Sequence, residues 1–152
     1  MGKTSFFTII NGRFTLYAML LWLVISLFDI PLELWMNYVN EGALGNFALH
    51  ILHIAIQVIM IFVIVYIFLS KIKQPYNLAN LFLISTLWVM LTIIQGFLVE
   101  TFVFAHPFEV FFQKYNLIQG GLKLLFLASE YGAPMLLGQY FILKRGFNIH
   151  KP

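Results

Sequence analysis

Four long apolar stretches constrain the fold of this 152-residue chain more than any other feature of its sequence. They cover residues of about 14–36, 47–69, 78–100 and 122–143. Each is long enough to cross roughly 30 Å of hydrocarbon, which takes about 20 residues of α-helix. Because a backbone in lipid must satisfy its own hydrogen bonds, we expect helices rather than strands. The sequence therefore predicts an all-α polytopic membrane protein, a four-transmembrane-helix antiparallel bundle.

Composition agrees with this prediction and excludes several classes of function. Hydrophobic residues make up 61% of the chain and charged residues 10%, whereas a soluble domain carries about 25% charged residues. Cysteine is absent, which excludes disulfides, thiolate metal sites and iron–sulfur clusters. The sequence contains no basic run with interleaved aromatic residues, so nucleic acid is not an expected partner. We expect one transmembrane domain over residues 1–152, with the lipid bilayer as its surroundings.

The Lys and Arg residues predict the orientation of the helices. Basic residues accumulate on the side of a membrane that is not translocated. The predicted inner side holds seven of the nine basic residues, namely Lys3, Arg13, Lys71, Lys73, Lys144, Arg145 and Lys151. Only Lys114 and Lys123 fall on the outer side. We expect both termini inside, in a bacterial or archaeal cell membrane or an organellar inner membrane.

The longest connection lies between the third and fourth apolar stretches and has an amphipathic pattern. Its apolar residues recur at helical spacing, at Phe108, Phe111, Phe112, Tyr115 and Ile118. Its polar residues, Glu109, Gln113, Lys114 and Asn116, take the opposite face. This pattern predicts a short outer surface helix over about 107–119. The helix would lie flat on the membrane or form a lid over the bundle.

Carboxylates are confined to the predicted outer half of the chain. They are Asp29, Glu33, Glu41, Glu100, Glu109 and Glu130. By the helical rise, Asp29 and His53 lie roughly 10 Å inside the outer boundary and Glu130 roughly 12 Å inside. Pro31 and Pro134 stand near two of these acids, and each removes a backbone donor from its helix. Ionisable residues at such depth need a partner, a proton or a ligand.

One hypothesis for these residues is a metal-binding or redox-active site. Asp29 and Glu33 are four residues apart, and His50 and His53 are three apart, so each pair shares one face of its helix. With Glu130 they resemble, in residue type, the inward-facing ligands of four-helix metal sites. The expected cofactor would be a transition metal.

A second hypothesis is a pocket for a lipid, sterol or quinone. Five residues would supply its hydrogen-bonding groups, Asp29, Gln57, Gln95, Glu100 and Glu130. Such pockets are mostly apolar and carry a few polar groups that orient the ligand. The many phenylalanines of the chain could line it, although most of them are expected to face lipid.

The leading hypothesis from the sequence is a small subunit of a larger membrane complex, with a structural or accessory role in a respiratory or other redox assembly. The chain has minimal loops and no complete catalytic set, which favours a non-enzymatic role. The last apolar stretch carries Ala128, Gly132 and Gly138, and small residues at such spacing permit close helix contact. That contact would be an internal seam or an interface with another membrane subunit.

Three short pieces of the chain resemble the emopamil-binding and sigma-2 receptor family of four-helix membrane proteins. They are residues 27–29 (LFD), 97–100 (FLVE) and 131–134 (YGAP). The second stretch departs from that family, because it offers His50, His53 and Gln57 where a glutamate is expected. The resemblance implies a sterol-binding or sterol-isomerising function.

Overall fold

The computed structural model describes residues 10–40, 46–116, 118 and 121–149, and its regular structure within those ranges is entirely helical. The long helices are α1 (Gly12–Asn40), α2 (Asn46–Lys71) and α3 (Leu78–Leu98). A π-helical turn, Val99–Val103, extends α3. The short helix α4 (Phe108–Gln113) precedes the last long helix, α5 (Lys123–Ile149). The chain is therefore all-α, as predicted.

Three of the long helices contain segments that are apolar and long enough to cross a membrane. These segments are Gly12–Leu32, Ala48–Lys71 and Leu78–Val103. The helix α5 is the least apolar of the four, because it includes Lys123, Glu130, Gln139 and Lys144. The integral membrane character predicted from the sequence thus rests on α1, α2 and α3.

The helices pack through apolar faces whose residues recur every three or four positions. On α1 these residues are Phe14, Ala18, Trp22 and Ile25, all of them buried. The helix α5 makes its main contacts with α2 and α3, and α1 packs against α3 and α2. The outward faces carry exposed Leu, Ile, Val and Phe side chains, which cost nothing against lipid.

Gly138 marks a close approach of α5 to α3. A Cβ atom at this position would overlap the side chain of Leu81, a fully buried residue of α3. Gly132, one and a half turns earlier, faces open space instead. Of the small residues noted in the sequence, Gly138 therefore serves an internal seam, while Ala128 and Gly132 lie away from it, with Ala128 exposed.

The connection before α5 contains a shorter helix than the 107–119 predicted from its amphipathic pattern. The helix α4 ends at Gln113, and the chain then turns so that the Gly121 amide donates to the carbonyl of Asn116. Phe111 is buried against Phe97, with ring centroids 5.6 Å apart. Ile118, by contrast, is almost fully exposed. The length of α4 is limited by its contact with the end of α3. The periodicity of the sequence does not reveal this contact.

Candidate functional site

Polar side chains from all four long helices meet in the interior of the molecule. We call them the polar cluster, and its members are Trp22, Asp29, Gln57, Thr92, Lys123 and Glu130. All six are buried, with Gln57 at 0% and Glu130 at 2% exposure. Polar groups are costly in such a place unless they bond to one another. Polar contacts, in addition to apolar packing, therefore hold the four helices together at this point.

Asp29 is the centre of one part of the polar cluster. The Gln57 amide of α2 donates a hydrogen bond to Oδ1 of Asp29. On the other side, Lys123 Nζ of α5 lies 3.6 Å from Asp29 Oδ2. The ammonium group also lies 5.1 Å from the ring centroid of Phe126. Asp29 thus connects three helices through one carboxylate.

Glu130 is the centre of the other part. The Thr92 hydroxyl of α3 donates to Glu130 Oε1 at 2.8 Å. The same hydroxyl oxygen accepts a hydrogen bond from the Trp22 indole at 3.0 Å. Thr92 can do both because a hydroxyl is at once a donor and an acceptor. The resulting chain of hydrogen bonds runs from α1 through α3 to α5.

Two acceptor atoms of the polar cluster lack a hydrogen-bond partner among the described residues. Within the described part of the chain, no donor reaches Glu130 Oε2 or Gln57 Oε1. The polar cluster also contains two carboxyl groups and one ammonium group, so it carries excess negative charge when both acids are ionised. Buried charge of this kind is costly in hydrocarbon. A hydrogen-bond donor, a proton or a cation would complete the polar cluster.

A small cavity adjoins the polar cluster at Asp29, Thr92 and Lys123. Gln95 and Gly96 of α3 line it as well. The volume of this cavity is about 10 Å³, which is the lower limit for holding one water molecule. The cavity therefore has room for a single hydroxyl or water, and not for the body of a larger ligand.

Both prolines that the sequence places near the acids lie inside continuous helices, Pro31 in α1 and Pro134 in α5. Proline has no backbone N–H, so the carbonyl four residues earlier loses its usual donor. For Pro134 that carbonyl belongs to Glu130. The polar cluster is therefore built around a helix position with reduced backbone hydrogen bonding.

Glu100 belongs to a separate group at the end of α3. Its carboxylate accepts a hydrogen bond from Lys114, and its Oε2 lies 2.8 Å from His106 Nδ1. Both partners come from the connection around α4, which Tyr115 anchors by approaching Gly96 closely. Of the five predicted ligand-binding residues, Asp29, Gln57, Gln95 and Glu130 thus come together and Glu100 does not.

The predicted metal ligands are only partly brought together. Asp29, His53 and Glu130 are buried and His50 is half-buried, while the side chain of Glu33 lies outside the described residues. Among the described side chains, no three His, Asp or Glu groups are close enough to hold a metal ion. The metal site stays a prediction from the sequence. Glu41 and His150 also lie outside the described residues.

The sequence pattern did not single out Lys123, Thr92 or Trp22 as site residues. Their spacing carries a signal, because residues seven apart lie on one face of a helix. Lys123 stands seven residues before Glu130, and Trp22 stands seven before Asp29. Nothing comparable marks Thr92, since threonine is common in membrane helices.

Comparison with known proteins adds no assignment to this geometry. No known protein family, no curated protein and no solved structure matches the chain. The resemblance described above thus rests on its three short pieces alone.

Proposed function

We propose that this chain is a four-transmembrane-helix protein that binds a small amphipathic molecule, with a hydroxyl group of that molecule bound in the polar cluster. The observation that carries the proposal is the incomplete hydrogen bonding there, at Glu130 Oε2 and Gln57 Oε1. Ionisable residues inside a membrane protein usually mark a functional site. A cluster that only joined helices would be expected to satisfy its own acceptors.

The chemistry of the two atoms narrows the class of ligand. Both are oxygen acceptors, so either one complements a donor such as the hydroxyl of a sterol, a quinol or a lipid alcohol, which donates one hydrogen bond. The carbonyl of an oxidised quinone is itself an acceptor and would not complement them. A second place for a hydroxyl is the cavity at Asp29, Thr92 and Lys123, which Glu130 and Gln57 do not line and which has room for one water molecule.

An apolar groove could hold the rest of such a molecule. It lies between α2 and α5, measures about 640 Å³, and is lined among others by Ile54, Val58, Leu122 and Leu125. Ligand pockets for small molecules have volumes of about 300–1,000 Å³. Ile54 and Val58 flank Gln57 in sequence, and Leu122 precedes Lys123. The groove therefore lies at the depth of Gln57 and Lys123, although neither residue lines it. A ligand whose body lies in the groove would have its hydroxyl at the level of the polar cluster.

Lipid extraction followed by mass spectrometry tests this function. The protein would be purified in mild detergent as wild type and as the Glu130→Leu and Gln57→Leu variants. We expect the wild type to retain a hydroxyl-bearing lipid enriched at least tenfold over its share of the membrane extract. At least one of the two variants should lose that enrichment, because the ligand hydroxyl donates to one of these two acceptors; retention of the lipid by both variants would contradict the proposed function.

Glu109→Gln is the matched control, since Glu109 is exposed on α4 and distant in sequence from the polar cluster. It should retain the ligand as the wild type does. A wild type that retains only bulk lipid would contradict the proposed function. Circular dichroism of each variant would separate loss of binding from loss of fold.

We also propose that α5 is the fourth transmembrane helix and that both termini lie inside. One support is that α5 packs against α2 and α3. Another is that its charged lysines, Lys123 and Lys144, lie near its two ends and leave a mostly apolar stretch between them. The chain has no cysteine, so single cysteines can be introduced at Gln74, Glu109 and Lys144. Membrane-impermeant labelling should reach positions 74 and 144 from one side and position 109 from the other. Labelling of 144 together with 109 would show that α5 does not cross.

A second candidate function is a subunit of a larger membrane complex. It is favoured by the outward face of α5, where Ala128 is exposed and Gly132 has open space around it. Small residues on a lipid-facing surface allow a helix of another subunit to approach closely. Purification in mild detergent should then recover partner proteins in a fixed ratio, and Gly132→Ile should release them without unfolding the chain. A stable monomer without partners would contradict this candidate.

A further inference from the structure

The end of the molecule opposite the polar cluster has a groove between α1 and α2. The apolar walls of the groove include Leu20, Val24 and Ile67, and its mouth is formed by Lys71, Lys73 and Gln74. Its volume is about 590 Å³. We call it the basic groove. Leu20, Val24 and Ile67 are about half exposed, so the groove is open along its length to the surrounding lipid.

The inner end of the basic groove reaches about the middle of a bilayer. From residue 14, at the predicted membrane boundary, to Val24 the helix rises about 15 Å, at 1.5 Å per residue. Half of a hydrocarbon core of roughly 30 Å is the same distance. An acyl chain that enters at the lysines would therefore run along the apolar walls to about the middle of the membrane.

The charges at the mouth define the headgroup. Lys71 and Lys73 are both exposed there, and Arg13 is exposed at the start of α1. No Asp or Glu occurs in the sequence before Asp29 or between Glu41 and Glu100, so α2 and the residues after it supply no competing carboxylate. Basic pockets between transmembrane helices bind anionic lipid headgroups.

We infer that the basic groove binds an anionic phospholipid, with an acyl chain between α1 and α2 and the phosphate group at Lys71 and Lys73. An apolar groove alone would accept any aliphatic chain. The two lysines at one end, with apolar walls that reach about the middle of the membrane, select a molecule that has both a tail and a negatively charged head. The inference is independent of the polar cluster, because the basic groove is lined by residues outside it.

Native mass spectrometry of the full delipidated chain in detergent tests the inference. The probes are phosphatidylglycerol and phosphatidylcholine with identical acyl chains. We expect the wild type to bind phosphatidylglycerol at least several-fold more tightly than phosphatidylcholine. In a Lys71→Gln, Lys73→Gln double variant this preference should disappear, since each lysine near a membrane surface contributes roughly fivefold in affinity for anionic lipid.

Lys144→Gln is the matched control, because Lys144 is an exposed basic residue on α5 and does not line the groove. It should keep the preference for phosphatidylglycerol. Equal binding of the two lipids by the wild type would overturn the inference. So would a loss in Lys144→Gln as large as in the double variant, because net charge alone would then explain the preference.

The apolar walls need a test of their own. Val24→Trp should fill the groove and weaken the binding of both lipids, whereas Met90→Trp, on an exposed position of α3, should not.

Two further results would assign the groove to another occupant. Excess inorganic phosphate should fail to displace phosphatidylglycerol, and displacement would show that the site binds anions without using the apolar groove. A chain that runs as a dimer and becomes monomeric in Val24→Trp would assign the groove to a second copy. Either of the last two results would overturn the inference.

Discussion

The two halves of the molecule are held together by different forces. In the half with the carboxylates, hydrogen bonds and an ion pair join α1, α2, α3 and α5 through the polar cluster. In the basic half, the helices meet through shape, as where Gly138 lies against Leu81 and the Phe14 ring stacks on Tyr76 at 4.8 Å. Lipid provides no hydrophobic force between helices. Close packing or polar bonds must supply it. The carboxylate half relies on polar bonds, and the basic half relies mainly on close packing, helped by hydrogen bonds from Trp88 to the Ala18 carbonyl and from Asn11 to the Pro75 carbonyl.

The largest expected effect tests the ion pair in the carboxylate half. Lys123→Met leaves Asp29 buried without its cation, and we expect the free energy of unfolding to fall by about 3 kcal/mol. Adding Asp29→Asn should restore most of the loss, because the charge that lacks a partner is then gone. The measurement is unfolding in mixed micelles, followed by circular dichroism. A double variant as unstable as Lys123→Met alone would mean that the ion pair is not the cause.

The next effect tests shape in the basic half. Gly138→Ala places a Cβ atom on Leu81 and should lower the free energy of unfolding by about 2 kcal/mol, the usual cost of overpacking. Gly132→Ala is the matched control, because a Cβ atom there meets nothing within 4 Å. Equal stability of the two variants, measured in the same mixed micelles, would contradict the close seam between α3 and α5.

A smaller effect tests the hydrogen bonds of the polar cluster. Thr92→Val keeps the shape of the side chain but removes the bonds to Trp22 and Glu130. We expect a loss of about 1 kcal/mol, typical of hydrogen bonds between membrane helices. Thr86→Val is the control, since the Thr86 hydroxyl bonds only the Phe82 carbonyl of its own helix among the bonds described. If thermal unfolding in detergent ranks the two variants equally, the bonds across helices add nothing.

The smallest effect concerns the group around Glu100, a buried residue whose partners His106 and Lys114 are partly exposed. Removing His106, whose side chain is 43% exposed, leaves Glu100 with Lys114 as its partner. We expect His106→Ala to cost about 0.5 kcal/mol, in the range of exposed polar pairs. A loss as large as that of Lys123→Met would show that this group stabilises the fold as strongly as the interior does.

Part of the candidate site could be predicted from the sequence. The sequence predicts Asp29, Gln57 and Glu130, because an ionisable or amide side chain deep in an apolar stretch is costly and usually marks a functional site. Glu100 is predicted among the ligand-binding residues although it stands at a helix end, and it lies elsewhere, since its own segment ends in a π-helical turn that leads to Lys114 and His106. Lys123 falls on the predicted outer side and is not among the predicted site residues, although it lies 3.6 Å from Asp29.

The sequence predicts where each long helix lies better than it predicts where the helix begins and ends. The predicted 14–36 and 122–143 became Gly12–Asn40 and Lys123–Ile149, because helices continue beyond the membrane-spanning residues when their caps allow it. The third prediction, 78–100, began correctly at Leu78, where Asn77 and Asn80 form a capping box. Periodicity placed a surface helix over 107–119, and packing on α3 shortened it to Phe108–Gln113.

The sequence by itself determined that this chain is helical and belongs in a membrane, because hydrophobicity and length are local properties that each segment carries alone. Only the tertiary structure decided which polar groups become partners. Trp22 and Glu130 are more than a hundred residues apart, and no local pattern relates them until Thr92 lies between them. Partner choice depends on the rotation and depth of each helix, and these are set by the packing of all the helices together.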